Sequence, residues 1–221
     1  MALPTQLLTD SAVGDNAIGT LILAHGAGAP MDSNFMQQLT AALNHAGVTV
    51  MRFEFPYMQW MREHGKRRPP DRQPLLLQYW RDMYRAVASD TAMVGPLLIG
   101  GKSLGGRMAS MVADELGVAG LCCFGYPFHA PGRPAEMRTE HLYGLLTPGL
   151  IVQGSRDPFG TPPELVAEPL SRALTLHWLE SGDHDFLPTR ASGLTQQALF
   201  AQAAAAIAAF VSDLGSGRHL S

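Results

Sequence analysis

Ser103 stands between glycines at minus two and plus two, in Gly101-Lys102-Ser103-Leu104-Gly105. In a GxSxG turn the serine sits on a strand-to-helix corner so tight that a Cβ at either flanking position would collide with neighbouring backbone. A serine hydroxyl is a weak nucleophile near neutral pH and needs a base, usually histidine, oriented in turn by a carboxylate. Two later stretches offer these groups: Gly154-Ser155-Arg156-Asp157-Pro158 and Ser181-Gly182-Asp183-His184-Asp185. Asp183 and Asp185 adjoin His184, and consecutive side chains diverge, so Asp157 is the expected orienting acid. Charge developing on a carbonyl oxygen requires two donors. Leu104 N–H, next to the serine, supplies one, and Ala27 N–H, in His25-Gly26-Ala27-Gly28, supplies the other. Together these residues have the chemistry for acyl transfer through a serine.

The same residues admit other readings. Gly101-Lys102-Ser103 resembles the end of a phosphate-binding GxxxxGK[ST] loop, but that motif needs glycine at 96, where the chain has Pro96. The intervening Leu97 to Ile99 is an apolar strand, whereas a phosphate loop follows its strand. Both counts weigh against nucleotide binding. Asp157 before Pro158 also suits an Asx-turn. Of the other histidines, His129 and His141 approach the same region but precede Asp157 in the chain. His25 and His129 are expected on the substrate side.

Positioning these groups requires a sheet. Apolar runs at 21–24, 48–53, 97–99, 119–124, 149–153 and 174–179 read as strands, with an edge strand near 5–8. Helical patterns fall at 33–46, from Pro74, at 104–116, near 135–142, from Pro162 and at 194–214, while 56–74 reads as an irregular, proline-rich excursion. Strands alternating with amphipathic helices give a three-layer α/β/α domain with a mainly parallel central sheet. Right-handed crossovers bring the strand C-terminal ends, and hence all the candidate loops, to one crevice.

Composition agrees with one such domain over residues 1–221. The 221 residues are 46% hydrophobic and 16% charged, with net charge −3, so nothing calls for a nucleic-acid partner. Cys122 and Cys123 are adjacent and cannot staple distant segments, which favours buried thiols in a reducing, cytoplasmic setting. No export signal is expected before Leu21, and the apolar run 198–211 is too short to span a bilayer. No Cys/His cluster has metal-ligand spacing, and no cofactor is expected. Residues 62–72 carry five basic side chains against two acidic ones. Arg67 and Arg68 there would draw anionic substrates to the crevice by their field.

The chain order Ser, Asp, His, with Ala24-His25-Gly26-Ala27-Gly28-Ala29, Gly101-Lys102-Ser103-Leu104-Gly105-Gly106-Arg107, Gly125-Tyr126-Pro127-Phe128-His129 and Gln153-Gly154-Ser155-Arg156-Asp157-Pro158-Phe159-Gly160, resembles the α/β-hydrolase superfamily over roughly residues 18–214. The resemblance is closest to a small cap-less group related to dienelactone hydrolases, which includes the testis-expressed and NSL-complex hydrolase-like proteins. It implies an α/β-hydrolase fold without a cap domain and a serine hydrolase acting on a small or medium carboxylic ester or thioester. Dienelactone hydrolases proper use a cysteine nucleophile, so lactone chemistry does not carry over to Ser103. The alternative is a catalytically silent scaffold or interaction module on the same fold.

Overall fold

The computed structural model describes residues 7–14, 17–89 and 94–216. Seven strands form one sheet: β1 (Leu8–Asp10), β2 (Gly19–Ala24), β3 (Val48–Phe53), β4 (Leu97–Lys102), β5 (Gly120–Phe124), β6 (Gly149–Gly154) and β7 (Leu174–Leu179). Their order is β1-β3-β2-β4-β5-β6-β7. β1 runs antiparallel to β3, and the other pairings are parallel. The edge strand expected near 5–8 lies partly outside the described residues, and β1 begins at Leu8.

Each central strand is a continuous apolar run because both its faces are covered. Alternation then sorts neighbours between two cores. Leu21 and Leu23 of β2 face one core, closed by α1 (Asn34–His45) and α7 (Gln196–Gly215). Ile22 and Ala24 face the other, closed by α3 (Gln73–Ala88), α4 (Leu104–Ser110) and α5 (Ala113–Leu116). Cys122 and Cys123 obey the same rule, one thiol in each core, both free. Burial pushes both thiols up from their ordinary range.

Three elements differ from the sequence reading. Residues 56–64, expected to be irregular, form helix α2 (Pro56–His64). Proline suits the first helical position, where its missing N–H costs nothing, and Gly65 ends the helix in the left-handed region at φ 63°. The single helix expected over 104–116 breaks into α4 and α5. At the break the Ser110 hydroxyl donates to the Arg107 carbonyl at 2.8 Å, a back-bond that bends helices. The helix expected near 135–142 is only a 3₁₀ turn, Glu140–Leu142. A short helix, α6 (Pro162–Leu165), starts where expected and carries a capping box between Thr161 and Glu164.

Helix α7 falls close to the expected 194–214 and, against the expectation from the 198–211 run, is long and apolar enough to cross a membrane by length and composition alone. Within the fold its apolar side is core: Leu199, Phe200, Ala203, Ile207, Phe210 and Val211 are buried.

Candidate active site

The C-terminal ends of β2, β4, β6 and β7 carry the candidate loops, and parallel pairing places them side by side. At the end of β4, Ser103 has φ 50° and ψ −115°, a conformation that costs a non-glycine residue ~1–3 kcal/mol and persists only where its surroundings enforce it. The enforcement is steric. A Cβ on Gly101 would sit 2.5 Å from the Gly105 carbonyl carbon, and one on Gly105 would sit 2.6 Å from the His25 oxygen. The strand, turn and helix therefore pack backbone to backbone, and Ser103 caps the N-terminus of α4.

The loops after β6 and β7 bring Asp157 and His184 together. His184 Nδ1 donates to Asp157 Oδ2 at 2.8 Å, and Asp157 is 0% exposed against 20% for the His184 side chain. Two further donors hold the carboxylate: Gln153 Nε2 reaches Oδ2 at 3.0 Å and Phe159 N–H reaches Oδ1 at 2.9 Å. With Nδ1 protonated by this bond, the neutral ring keeps Nε2 as its basic nitrogen. Phe159 lies against the ring, centroids 4.4 Å apart. Asp183 instead accepts from the backbone N–H groups of Asp185 and Leu187, both at 2.9 Å, and so shapes the loop.

A residue given no part in the site by the sequence reading couples the two halves. Lys102, next to Ser103, donates its ammonium to the His184 carbonyl and pairs with Asp185 at 3.2 Å. Burial lowers its pKa, with Asp185 and Asp157 pulling the other way. The ammonium also lies 4.7 Å from the Phe35 ring centroid. Gly125, at φ 63°, leaves room for this link, since a Cβ there would lie 3.0 Å from Lys102 Nζ and 3.2 Å from His184 Nδ1. A buried lysine beside a GxSxG serine has no sequence signal of its own, because the motif leaves that position free.

The loop after β2 closes on the elbow. An added Cβ on Gly26 would lie 3.7 Å from Ser103 Cβ. His25 is fully buried, so it does not face substrate as expected; both its ring nitrogens are used within the protein. Phe55 N–H donates to Nε2 at 3.1 Å, which leaves Nδ1–H to donate to the Gly26 carbonyl at 2.6 Å. Burial lowers the His25 pKa and keeps this neutral form. Tyr57 O–H lies 3.2 Å from both the Gly26 and Ala27 oxygens. Because C=O and N–H point oppositely across a trans peptide, gripping the Gly26 oxygen fixes the direction of Ala27 N–H.

His129, also expected on the substrate side, is buried as well, with Nδ1 2.9 Å from the Ala130 oxygen and Nε2 3.3 Å from Glu164 Oε2. Of the basic excursion, Arg62 is committed to Glu54 at 2.5 Å and Asp32 at 2.9 Å. Arg68 pairs with Asp71 at 2.8 Å and covers the Trp60 ring at 5.3 Å, while Arg67 is exposed. A second serine–histidine pair lies at the far end of α4, where Ser110 Oγ is 2.9 Å from His141 Nε2.

A seven-stranded, mostly parallel sheet with a strained serine after its central strand, and no cap over the strand ends among the described residues, defines an α/β hydrolase. The chain belongs to that family: the model described as "Alpha/beta hydrolase domain" matches residues 17–212. Solved structures agree at the level of the fold. An alpha-beta serine hydrolase homologue from Coxiella burnetii superposes with TM-score 0.68 at 20% identity, over 89% of each chain. A lid-less serine hydrolase from Xanthomonas campestris gives 0.65 at 19%, over 89% of this chain and 85% of that one. A dienelactone hydrolase from Anabaena variabilis gives 0.66 at 19%, over 90% and 88%.

Proposed function

We propose that the protein is a serine hydrolase that cleaves a small or medium carboxylic ester or thioester through an acyl-enzyme. Ser103 attacks the carbonyl carbon as His184 Nε2 takes its proton. Asp157 holds the ring in that tautomer and stabilises the imidazolium, and the N–H groups of Ala27 and Leu104 receive the oxyanion. His184 then returns the proton to the leaving alcohol or thiol, and water repeats the cycle on the acyl group. The observation that carries this reading is the 2.8 Å bond from His184 Nδ1 to the fully buried Asp157, taken with a serine at φ 50° after β4. A carboxylate taken wholly out of water is costly unless its hydrogen bonds are met, and here one of them is spent on orienting an imidazole.

Exposed Arg67 and half-exposed Arg68 remain in this reading as a source of field for anionic substrates. Two buried free thiols fit a cytoplasmic setting. The test is a fluorophosphonate probe, expected to label Ser103 in the wild type and to fail on Ser103→Ala of unchanged Tm. A folded wild type that stays unlabelled would favour the scaffold.

A further inference from the structure

Six arginines form ion pairs among the described residues: Arg52 with Asp10, Arg62 with Glu54, Arg68 with Asp71, Arg81 with Glu115, Arg85 with Asp82 and Arg133 with Glu136. Arg107 and Arg138 form none. Neither side chain makes an ion pair or hydrogen bond among the described residues, and Arg107 Nε is buried with no partner. Both line a cavity of about 460 Å³ with Gln73, Met111, Met137 and His141. The cavity lies at the strand-end side of the molecule. Gln73 begins α3, Arg107 is one helical turn beyond Ser103, and the Arg138 N–H donates to the Phe128 carbonyl in the loop after β5 at 2.7 Å. Helical side chains lean toward the N-terminus, so the Arg107 stem leans back toward Ser103.

Two guanidinium groups against one carboxylate, the exposed Glu140 at the rim, leave the lining positive. Burial lowers the Arg107 pKa, Tyr126 pulls the other way, and Arg138 lowers it again, so the two guanidinium groups repel. His141, held near pKa 4 by burial and Arg107, is neutral at pH 7 and presents a ring rather than a third charge. Planar guanidinium forks match carboxylate and phosphate oxygens in pairs. Met111 and Met137 provide apolar wall for the chain that carries such a group.

We propose that this cavity is an anion subsite, taking the carboxylate or phosphate of a substrate whose ester lies at Ser103. The second half of the proposal rests on the hydrolase reading; the binding of an anion does not.

The first arm of the test uses Ser103→Ala protein, titrated separately with inorganic phosphate and with acetate while the His141 ring signals are followed by NMR. Saturable shifts are expected, lost in Arg107→Gln/Arg138→Gln, and the anion that saturates first identifies the preferred head group. Shifts that persist in the double variant, or none at tens of millimolar of either anion, overturn the site. Should the double variant unfold, Arg138→Gln alone, at an exposed position, carries the comparison. The second arm uses the active protein and two esters of equal size, one neutral and one with a terminal carboxylate or phosphate. A charge-assisted pair is worth roughly 1.5–3 kcal/mol, so the ratio of kcat/KM, anionic over neutral, should fall by about tenfold or more in Arg107→Gln. An unchanged ratio overturns the substrate role. If the wild type hydrolyses neither ester while phosphate still binds, the hydrolase reading fails and the anion site stands alone.

Discussion

Helix α4 has a serine at each end, and each serine has a histidine assigned to it. Ser110 is the one in hydrogen-bond contact, 2.9 Å from His141. Its surroundings are nevertheless those of a structural hydroxyl. Ser110 is 2% exposed, its proton has the Arg107 carbonyl at 2.8 Å, and Tyr126 O–H shares the same imidazole nitrogen at 3.1 Å. No carboxylate bonds to His141 among the described residues. Ser103 has the opposite set: a positive φ, a place at the N-terminus of α4, and a histidine loop backed by a buried aspartate. In the proposed mechanism, activation of a serine thus depends on what lies behind the histidine and beneath the serine more than on the two side chains touching.

The sharpest way to break the comparison is to remove each hydroxyl in turn. Ser103→Ala should lower kcat by on the order of 10⁶-fold, as loss of a serine nucleophile does elsewhere, and abolish fluorophosphonate labelling. Ser110→Ala should keep the label and lose ~1 kcal/mol of stability, the usual worth of a buried hydrogen bond. Labelling that follows Ser110 instead would reverse the assignment. Next in size is the acid. Asp157→Asn should cost about 10⁴-fold in kcat with little change in KM. Asp183→Asn keeps an oxygen for the Asp185 and Leu187 N–H groups and should be mild.

The sequence exposed the strands because covered parallel strands leave continuous apolar runs, and it exposed the elbow because tight sterics demand glycine at fixed spacing. It did not expose Lys102, Gln153 or Tyr57, whose partners lie 82, 4 and 31 residues away and whose residue types fit any surface. Helix α2 was hidden by reading Pro56 as a breaker, although the first helical position tolerates it. His25 and His129 were expected to face the crevice because their loops do; their side chains turn inward to satisfy backbone oxygens instead. Loop position is legible from topology, and side-chain direction is decided by which buried polar groups need partners.

A smaller effect sharpens the same contrast at the oxyanion loop. Tyr57→Phe removes one of two donors on the Gly26 oxygen while leaving His25 in place. It should lower kcat by less than the ~10²-fold that loss of a whole oxyanion donor costs, with KM unchanged. A rise in KM alone would mean that the hydroxyl supports substrate binding rather than the Ala27 N–H.

The smallest expected effect concerns pH and the second pair. His141 titrates near 4 in the folded protein, mainly through burial and then through Arg107, against about 6.5 when unfolded. Between those values the unfolded chain binds the proton and the folded one does not, so stability rises with pH across the window. It is complete above about 6.5 and is lost as pH falls toward 4. His25 shifts in the same direction, so the wild-type slope contains both groups. In His141→Gln the slope of Tm against pH between 4 and 6.5 should be shallower than in the wild type, without becoming flat. Fluorophosphonate labelling of the variant at pH 7 should persist, because in the proposed mechanism the base for Ser103 is His184. An unchanged slope would mean that the His141 ring is already charged in the fold, which would remove the neutral wall from the anion subsite.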